Sequence, residues 1–221
     1  MVQILSSASL SHYGIRILFT AAALAIWFWS QALIGRKAFG KDGVGDWLHD
    51  LTAGWNHWLT VHPKAADMLL IISSLLVDLF GIALIAFAVF GPSVGPLIAL
   101  VIVFGLRQIC QASNSLPAPP GILWRRPGFP AVFVTYGISN DFFFSGHTAL
   151  AVLGAIQAAH LLPAWAGIAA AIIALLEAVV VLVLRAHYTM DIIAGALAAW
   201  WASDMARLLA PAIDAWLATL G

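Results

Sequence analysis

The sequence is short of charge. Only 9% of its 221 residues are Asp, Glu, Lys or Arg, where a soluble domain carries roughly 25%. With 62% hydrophobic residues and a mean hydropathy of +0.97, no water-facing surface can be assembled, and the chain reads as an integral membrane protein. Its ten basic and ten acidic residues cancel, which gives no hint of nucleic acid binding. There is one cysteine, Cys110, so an internal disulfide and a Cys-based zinc site are excluded. It lies in an apolar run and reads as a small packing residue. Strand-like alternation is absent too, so a membrane barrel is not expected. Met1 to Gly14 lacks the tripartite pattern of a signal peptide. The first apolar segment is longer than a signal h-region and has no small-residue cleavage site after it, so it is expected to be a retained helix.

What is present is a series of apolar segments near the length of about 20 residues that a spanning helix needs. Six are expected, at about Ile15 to Ile34, Ala66 to Phe90, Val94 to Gln111, Ser145 to Leu162, Ala164 to Leu184 and Tyr188 to Leu209. The expected fold is all-α, a single six-transmembrane-helix bundle covering the whole chain. Between the first two segments, DWLHDLTAGWNHWLTVH interleaves Trp and His with polar residues, as in an interfacial helix at headgroup level. The long or polar connections (35–65, 112–144 and the turn at 185–187) fall on one side of such a bundle. The tight turns around GPSVGP and Pro163, and both termini, fall on the other.

Two stretches on the first side carry chemistry. FFFSGHTAL places Ser145 at an N-cap position and His147 in the first turn of the fourth segment. RAHYTMD places His187 and Asp191 four residues apart, on one side of a helix start. Forty residues separate the two histidines, the length of two spans, so both return to the same depth on the same side. Arg107, near the end of the third segment, can join them. A helix N-terminus suits a phosphate, Gly146 allows close backbone approach, and a guanidinium binds phosphate oxygens bidentately. Asp191 is expected to accept from one nitrogen of His187, leaving the other to attack phosphorus. His147 would then protonate the leaving oxygen and deprotonate the incoming hydroxyl. No metal or cofactor is required.

These residues resemble the type 2 phosphatidic acid phosphatase superfamily, and more closely its sphingomyelin synthase-like branch. That branch is recognised by G-D-x-x-x-S-G-H-T, which reads NDFFFSGHT from Asn140 to Thr148, and by H-Y-T-x-D, which reads HYTMD from His187 to Asp191. It also has an Arg followed nine residues later by Leu-Pro-x-Pro, matched by Arg107 and Leu116-Pro117-Ala118-Pro119. The resemblance implies a six-helix core, a triad of His147, His187 and Asp191, and a role for Asp141 in orienting a histidine. It also implies transfer of a phospho-headgroup, phosphocholine or phosphoethanolamine, from a glycerophospholipid to diacylglycerol or ceramide. The plant phosphatidylcholine:diacylglycerol cholinephosphotransferases are related. The soluble-substrate phosphatases carry K-x6-R-P and an Arg six residues before the second His; here Pro119 and Val181 stand at the lysine and arginine positions. Asn140 replaces a usual glycine, and Arg185 stands where some synthases have histidine, which bears on headgroup identity.

Other residues are assigned by position. Arg107, Asp141, Ser145, Gly146, Arg185 and Tyr188 border the candidate site and are expected to bind substrate. Asp78 and Glu177 lie inside spanning segments, where a carboxylate normally has a partner. Asp78 is expected to pair with Arg107 or meet a cationic headgroup. Glu177 is expected to line an acyl cavity, bind a donor hydroxyl or make a helix–helix hydrogen bond. Arg125 and Arg126 are expected to anchor the loop at the interface, with contact to lipid phosphates as the alternative. Tyr188 or Trp55 is a candidate wall of a choline cage. The expected partners are the phospholipid donor, the lipid-hydroxyl acceptor and the bilayer, with a homo-oligomer allowed. Orientation is left open: the positive-inside rule makes the histidine side cytoplasmic, whereas the resembling family works on the luminal or periplasmic side. Two other readings stand beside the transferase, a lipid phosphate phosphatase with water as acceptor and a non-catalytic lipid-binding or transport bundle.

Overall fold

The computed structural model describes residues 10–36, 44–136 and 142–220. Among them are eight helices and no strand, as expected for a chain whose backbone groups must be satisfied without water. They are α1 (Leu10–Ile34), α2 (Trp47–Leu51), α3 (Ala53–Val61), α4 (Pro63–Phe90), α5 (Gly95–Ser113), α6 (Gly146–Leu161), α7 (Ala164–Val183) and α8 (Thr189–Ala218). Pro63 opens α4, where its missing N–H costs nothing.

Five helices are long and apolar enough to cross a membrane: α1, α4, α5, α7 and α8. The fourth expected span, α6, has 16 residues, about 24 Å of helix at 1.5 Å per residue. It is the enclosed member of the bundle, packed against α4, α5, α7 and α8. Small residues permit this: Ala151, Ala155 and Ala158 face Ala170 and Ala174 of α7, the close approach that glycine and alanine allow between membrane helices.

One boundary differs by more than the rest. The sequence predicts that the last segment stops near Leu209, two residues before Pro211, yet α8 continues to Ala218 with Pro211 inside it. Tertiary contacts hold the extra turns. Asp214 accepts from the backbone N–H of Val94 at 2.9 Å and the hydroxyl of Ser93 at 2.6 Å, and lies 3.5 Å from the guanidinium of Arg16. These contacts offset the one backbone hydrogen bond that proline removes. α1 starts earlier than expected, at Leu10, and the other ends agree to within a turn. Cys110 packs at the edge of the main core.

Candidate active site

The two histidines come together. The rings of His147, at the start of α6, and His187, just before α8, have centroids 6.4 Å apart. Both are less than a tenth exposed. Ser145 is the N-cap of α6, its hydroxyl accepting from the N–H of Thr148 at 3.2 Å. Its own N–H donates to the carbonyl of Asp191 at 3.0 Å, tying the starts of α6 and α8 together. Gly195 makes this approach feasible, because a Cβ there would fall 2.6 Å from the Ser145 carbonyl oxygen.

The orientation of His187 differs from the expectation. Its Nδ1 donates to the carbonyl of Phe142 at 2.8 Å, while the carboxylate of Asp191 stands 3.7 Å away. A carbonyl can only accept, so Nδ1 carries the proton and Nε2 presents its lone pair. The backbone thus fixes the tautomer, and Asp191 contributes charge at short range rather than a direct hydrogen bond. Geometry explains this: the Asp191 oxygen nearest the ring already accepts from the N–H of Tyr188 at 2.9 Å, as the reciprocal half of the α8 cap. The other, Oδ1, is buried with no hydrogen-bond partner among the described residues.

Arg107 reaches the site as expected. It is buried, its Nε donates to the carbonyl of Phe144 at 2.8 Å, and its guanidinium lies against Gly146, where a Cβ would meet Nε at 3.1 Å. Glycine at 146 therefore admits the cation to the first turn of α6, beside the partial positive charge of the helix N-terminus. Asp141 lies outside the described residues.

Three expected residues take other positions. Asp78 does not pair with Arg107. Its two oxygens accept from the N–H groups of Val132 and Phe133 at 2.9 and 2.8 Å, because this non-helical loop needs acceptors for its backbone donors. Arg185 adopts a left-handed conformation, φ 54°, and directs its guanidinium to the carbonyls of Pro120 and His49. Tyr188 is buried, stacked on His49, and its hydroxyl accepts from the N–H of Val44. Trp55, the other cage candidate, is 63% exposed on α3. Arg125 pairs with Asp67 at 2.7 Å. Glu177 accepts from the hydroxyl of Ser73 on α4, the helix–helix hydrogen bond among its expected roles.

Sequence reasoning missed the support beneath the site. Asp46 caps α2, accepting from the N–H groups of Leu48 and His49, and also accepts from the N–H and hydroxyl of Thr189 at 2.6 and 2.7 Å. Burial alone would raise its pKa. The hydrogen bonds from Thr189 and the nearby His49 outweigh burial and hold the carboxyl below its usual value. His49 donates from Nε2 to the carbonyl of His187 at 3.0 Å. Asn56 donates to the carbonyls of Gly121 and Val183. The signal was available: Asp46, His49 and Asn56 recur at helical spacing on one face, with Trp47, Leu51, Trp55 and Trp58 exposed on the other. Trp124 was also missed. It meets the ring of His147 edge-on at 5.0 Å and packs against Tyr136 at 4.9 Å.

A cavity of about 690 Å³ opens between α1, α5 and α8. Its walls are almost wholly hydrocarbon. It runs from Arg16 and Trp216 at one end to Gln108 at the other, and its wall includes Leu150, one helical turn after His147.

No curated protein and no solved structure matches the chain. The AtPDCT1/2 family model does match, over residues 46–208. The matched region begins at Asp46, which ties α2 to α8, and contains both histidines, Arg107 and Asp191. The multi-pass helical bundle gathers two histidines, an arginine and a carboxylate, and the chain belongs to the AtPDCT1/2 family, the phosphatidylcholine:diacylglycerol cholinephosphotransferases.

Proposed function

We propose that the enzyme transfers phosphocholine from phosphatidylcholine to diacylglycerol through a phosphohistidine on His187, with no metal. The observation that carries this reading is the hydrogen bond from His187 Nδ1 to Phe142, which leaves Nε2 basic and oriented. Nε2 attacks the donor phosphorus, and the bond from phosphorus to the diacylglycerol oxygen breaks as His147 gives that oxygen a proton. The neutral His147 then takes the proton of the acceptor hydroxyl, whose oxygen attacks phosphorus and releases Nε2. The two rings stand 6.4 Å apart by centroid, near enough to flank one phosphoryl group. Arg107 and the first turn of α6 bind the phosphoryl oxygens.

The same reading assigns the topology. α6 is a sixth, shortened span that starts within the bilayer, so His147 lies below the headgroup plane. The α2–α3 segment lies at headgroup level, with Trp47, Trp55 and Trp58 turned outward in the manner of an interfacial belt. The cavity beside Leu150 takes acyl chain.

The test is headgroup-labelled phosphatidylcholine given to purified protein, with diacylglycerol and ceramide as acceptors and His187→Ala as control. Label on diacylglycerol, and label retained on the wild-type protein when acceptor is withheld, are the expected results. Label on ceramide would extend the reading to the sphingomyelin synthase-like branch. Label released only to water, as phosphocholine, would make the protein a phospholipid hydrolase and overturn the reading.

A further inference from the structure

Among the described residues, Glu177 is a buried carboxylate that the proposed chemistry leaves unused. It is 1% exposed. Oε1 accepts from Ser73, and Oε2 is buried without a hydrogen-bond partner. Among the described residues no Lys or Arg forms an ion pair with it. A carboxylate so placed is expensive in a membrane, and such groups mark ligand and ion sites.

Helix register puts it at the level of the histidines. The α6–α7 pair is antiparallel, with Gly167 set against Ala159. Ten residues further along α7, and ten back along α6, Glu177 comes level with Ala149. α4 runs parallel to α6, with Phe80 set against Gly154, and seven residues back along each helix Ser73 comes level with His147. The wall joining these positions is aromatic. Trp124 stands between His147 and Tyr136, and the Tyr136 hydroxyl lies 2.5 Å from that of Ser74, the neighbour of Ser73. Burial raises the Tyr136 pKa, the Ser74 hydrogen bond opposes this, and the charges of Asp78 and Glu177 raise it further.

We infer that Glu177, with Trp124 and Tyr136, is the recognition site for the donor's quaternary ammonium. A trimethylammonium cannot donate a hydrogen bond, so it is held by charge and by aromatic faces, and this cluster offers both beside the ring of His147. The unpartnered oxygen of Glu177 takes the cation, and Ser73 holds the carboxylate in place. The inference rests on the phosphocholine reading above, but its test does not require turnover.

The experiment measures binding of short-chain phosphatidylcholine and phosphatidylglycerol to purified His187→Ala protein, with and without Glu177→Gln. Glutamine keeps an acceptor for Ser73 and the shape of the side chain, and replaces the charged second oxygen with a neutral NH2. The expected result is at least about tenfold weaker binding of phosphatidylcholine, the size of one cation contact of about 1.4 kcal/mol, with phosphatidylglycerol unchanged. Equal loss on both lipids, or loss on neither, would overturn the inference. If Glu177→Gln lowers the melting temperature so far that binding cannot be read, Trp124→Leu decides: selective loss of phosphatidylcholine upholds the site, and unselective loss sinks it. A wild-type enzyme that fails to transfer phosphocholine would overturn the proposed function while leaving these binding results to be read on their own.

Discussion

The imidazole of His187 donates from Nδ1 to the carbonyl oxygen of Phe142, 45 residues earlier in the chain, at 2.8 Å. The carboxylate that a triad would place there is 3.7 Å from the same nitrogen. Because the carbonyl holds the tautomer, Asp191→Asn should keep it, and asparagine still offers an oxygen to the N–H of Tyr188. A loss in transfer rate of about 10–100-fold is expected, the scale of a supporting contact, while His187→Ala and His147→Ala fall to background. Comparing kcat for the three variants checks this. An Asp191→Asn enzyme as dead as His187→Ala would return the orienting role to the carboxylate.

Asp46→Ala should destabilise the fold by about 1–2 kcal/mol, the usual effect of a lost helix cap, and lower Tm by about 2–4 °C per kcal/mol in a chain of this size. The effect depends on pH. The folded carboxyl titrates below the unfolded value of about 3.9, so its contribution is present above that value and fades as pH falls through the lower folded value. Melting curves of wild type and variant should differ at neutral pH and converge in acid. A difference that persists unchanged into strong acid would show that the charge of Asp46 is not involved.

Gly195→Ala inserts a methyl group 2.6 Å from the Ser145 carbonyl oxygen. That oxygen belongs to backbone and cannot step aside, so α8 must move away from α6. Destabilisation of about 1–3 kcal/mol is expected, with a fall in transfer rate larger than stability explains, because the same shift separates His187 from His147. Thermal melting and kcat measured on one preparation test the pair of effects.

Gly105→Leu tests the cavity. Nothing lies within 4 Å of a Cβ at Gly105, which lines the cavity wall. The new side chain therefore enters open space, and leucine favours the helix by up to about 1 kcal/mol over glycine. Stability should hold or rise. Transfer from long-chain phosphatidylcholine should fall at least several-fold, and transfer from short-chain donors should not. Equal rates on both would separate the cavity from the substrate path.

Much of this was legible in the sequence. The spacing of His147 and His187 converts directly into helix length, and helix length fixes depth, so their meeting could be read without coordinates. Arg107 followed from its place at the end of α5. What escaped depends on partners far away in sequence. Asp78 serves a loop more than fifty residues on, and only the loop's unpaired N–H groups explain it. α8 outruns Pro211 because Asp214 holds the α4–α5 turn, a contact no local propensity encodes. The tryptophans carry the sequence signal of the α2–α3 segment, while its thin polar face of Asp46, His49 and Asn56 is the half that touches the site.

The contacts that shape the site run largely from side chains to main chain: His187 to Phe142, Arg107 to Phe144, His49 to His187, Arg185 to Pro120 and His49, Asn56 to Gly121 and Val183. A carbonyl is contributed by whatever residue occupies its position. Tolerance to substitution should therefore be lopsided. The donors are fixed in identity, while Phe142, Phe144, Pro120 and Val183 are held only by shape and can drift as neighbours repack. Within such a lineage the geometry of the centre can persist while much of the sequence around it is replaced.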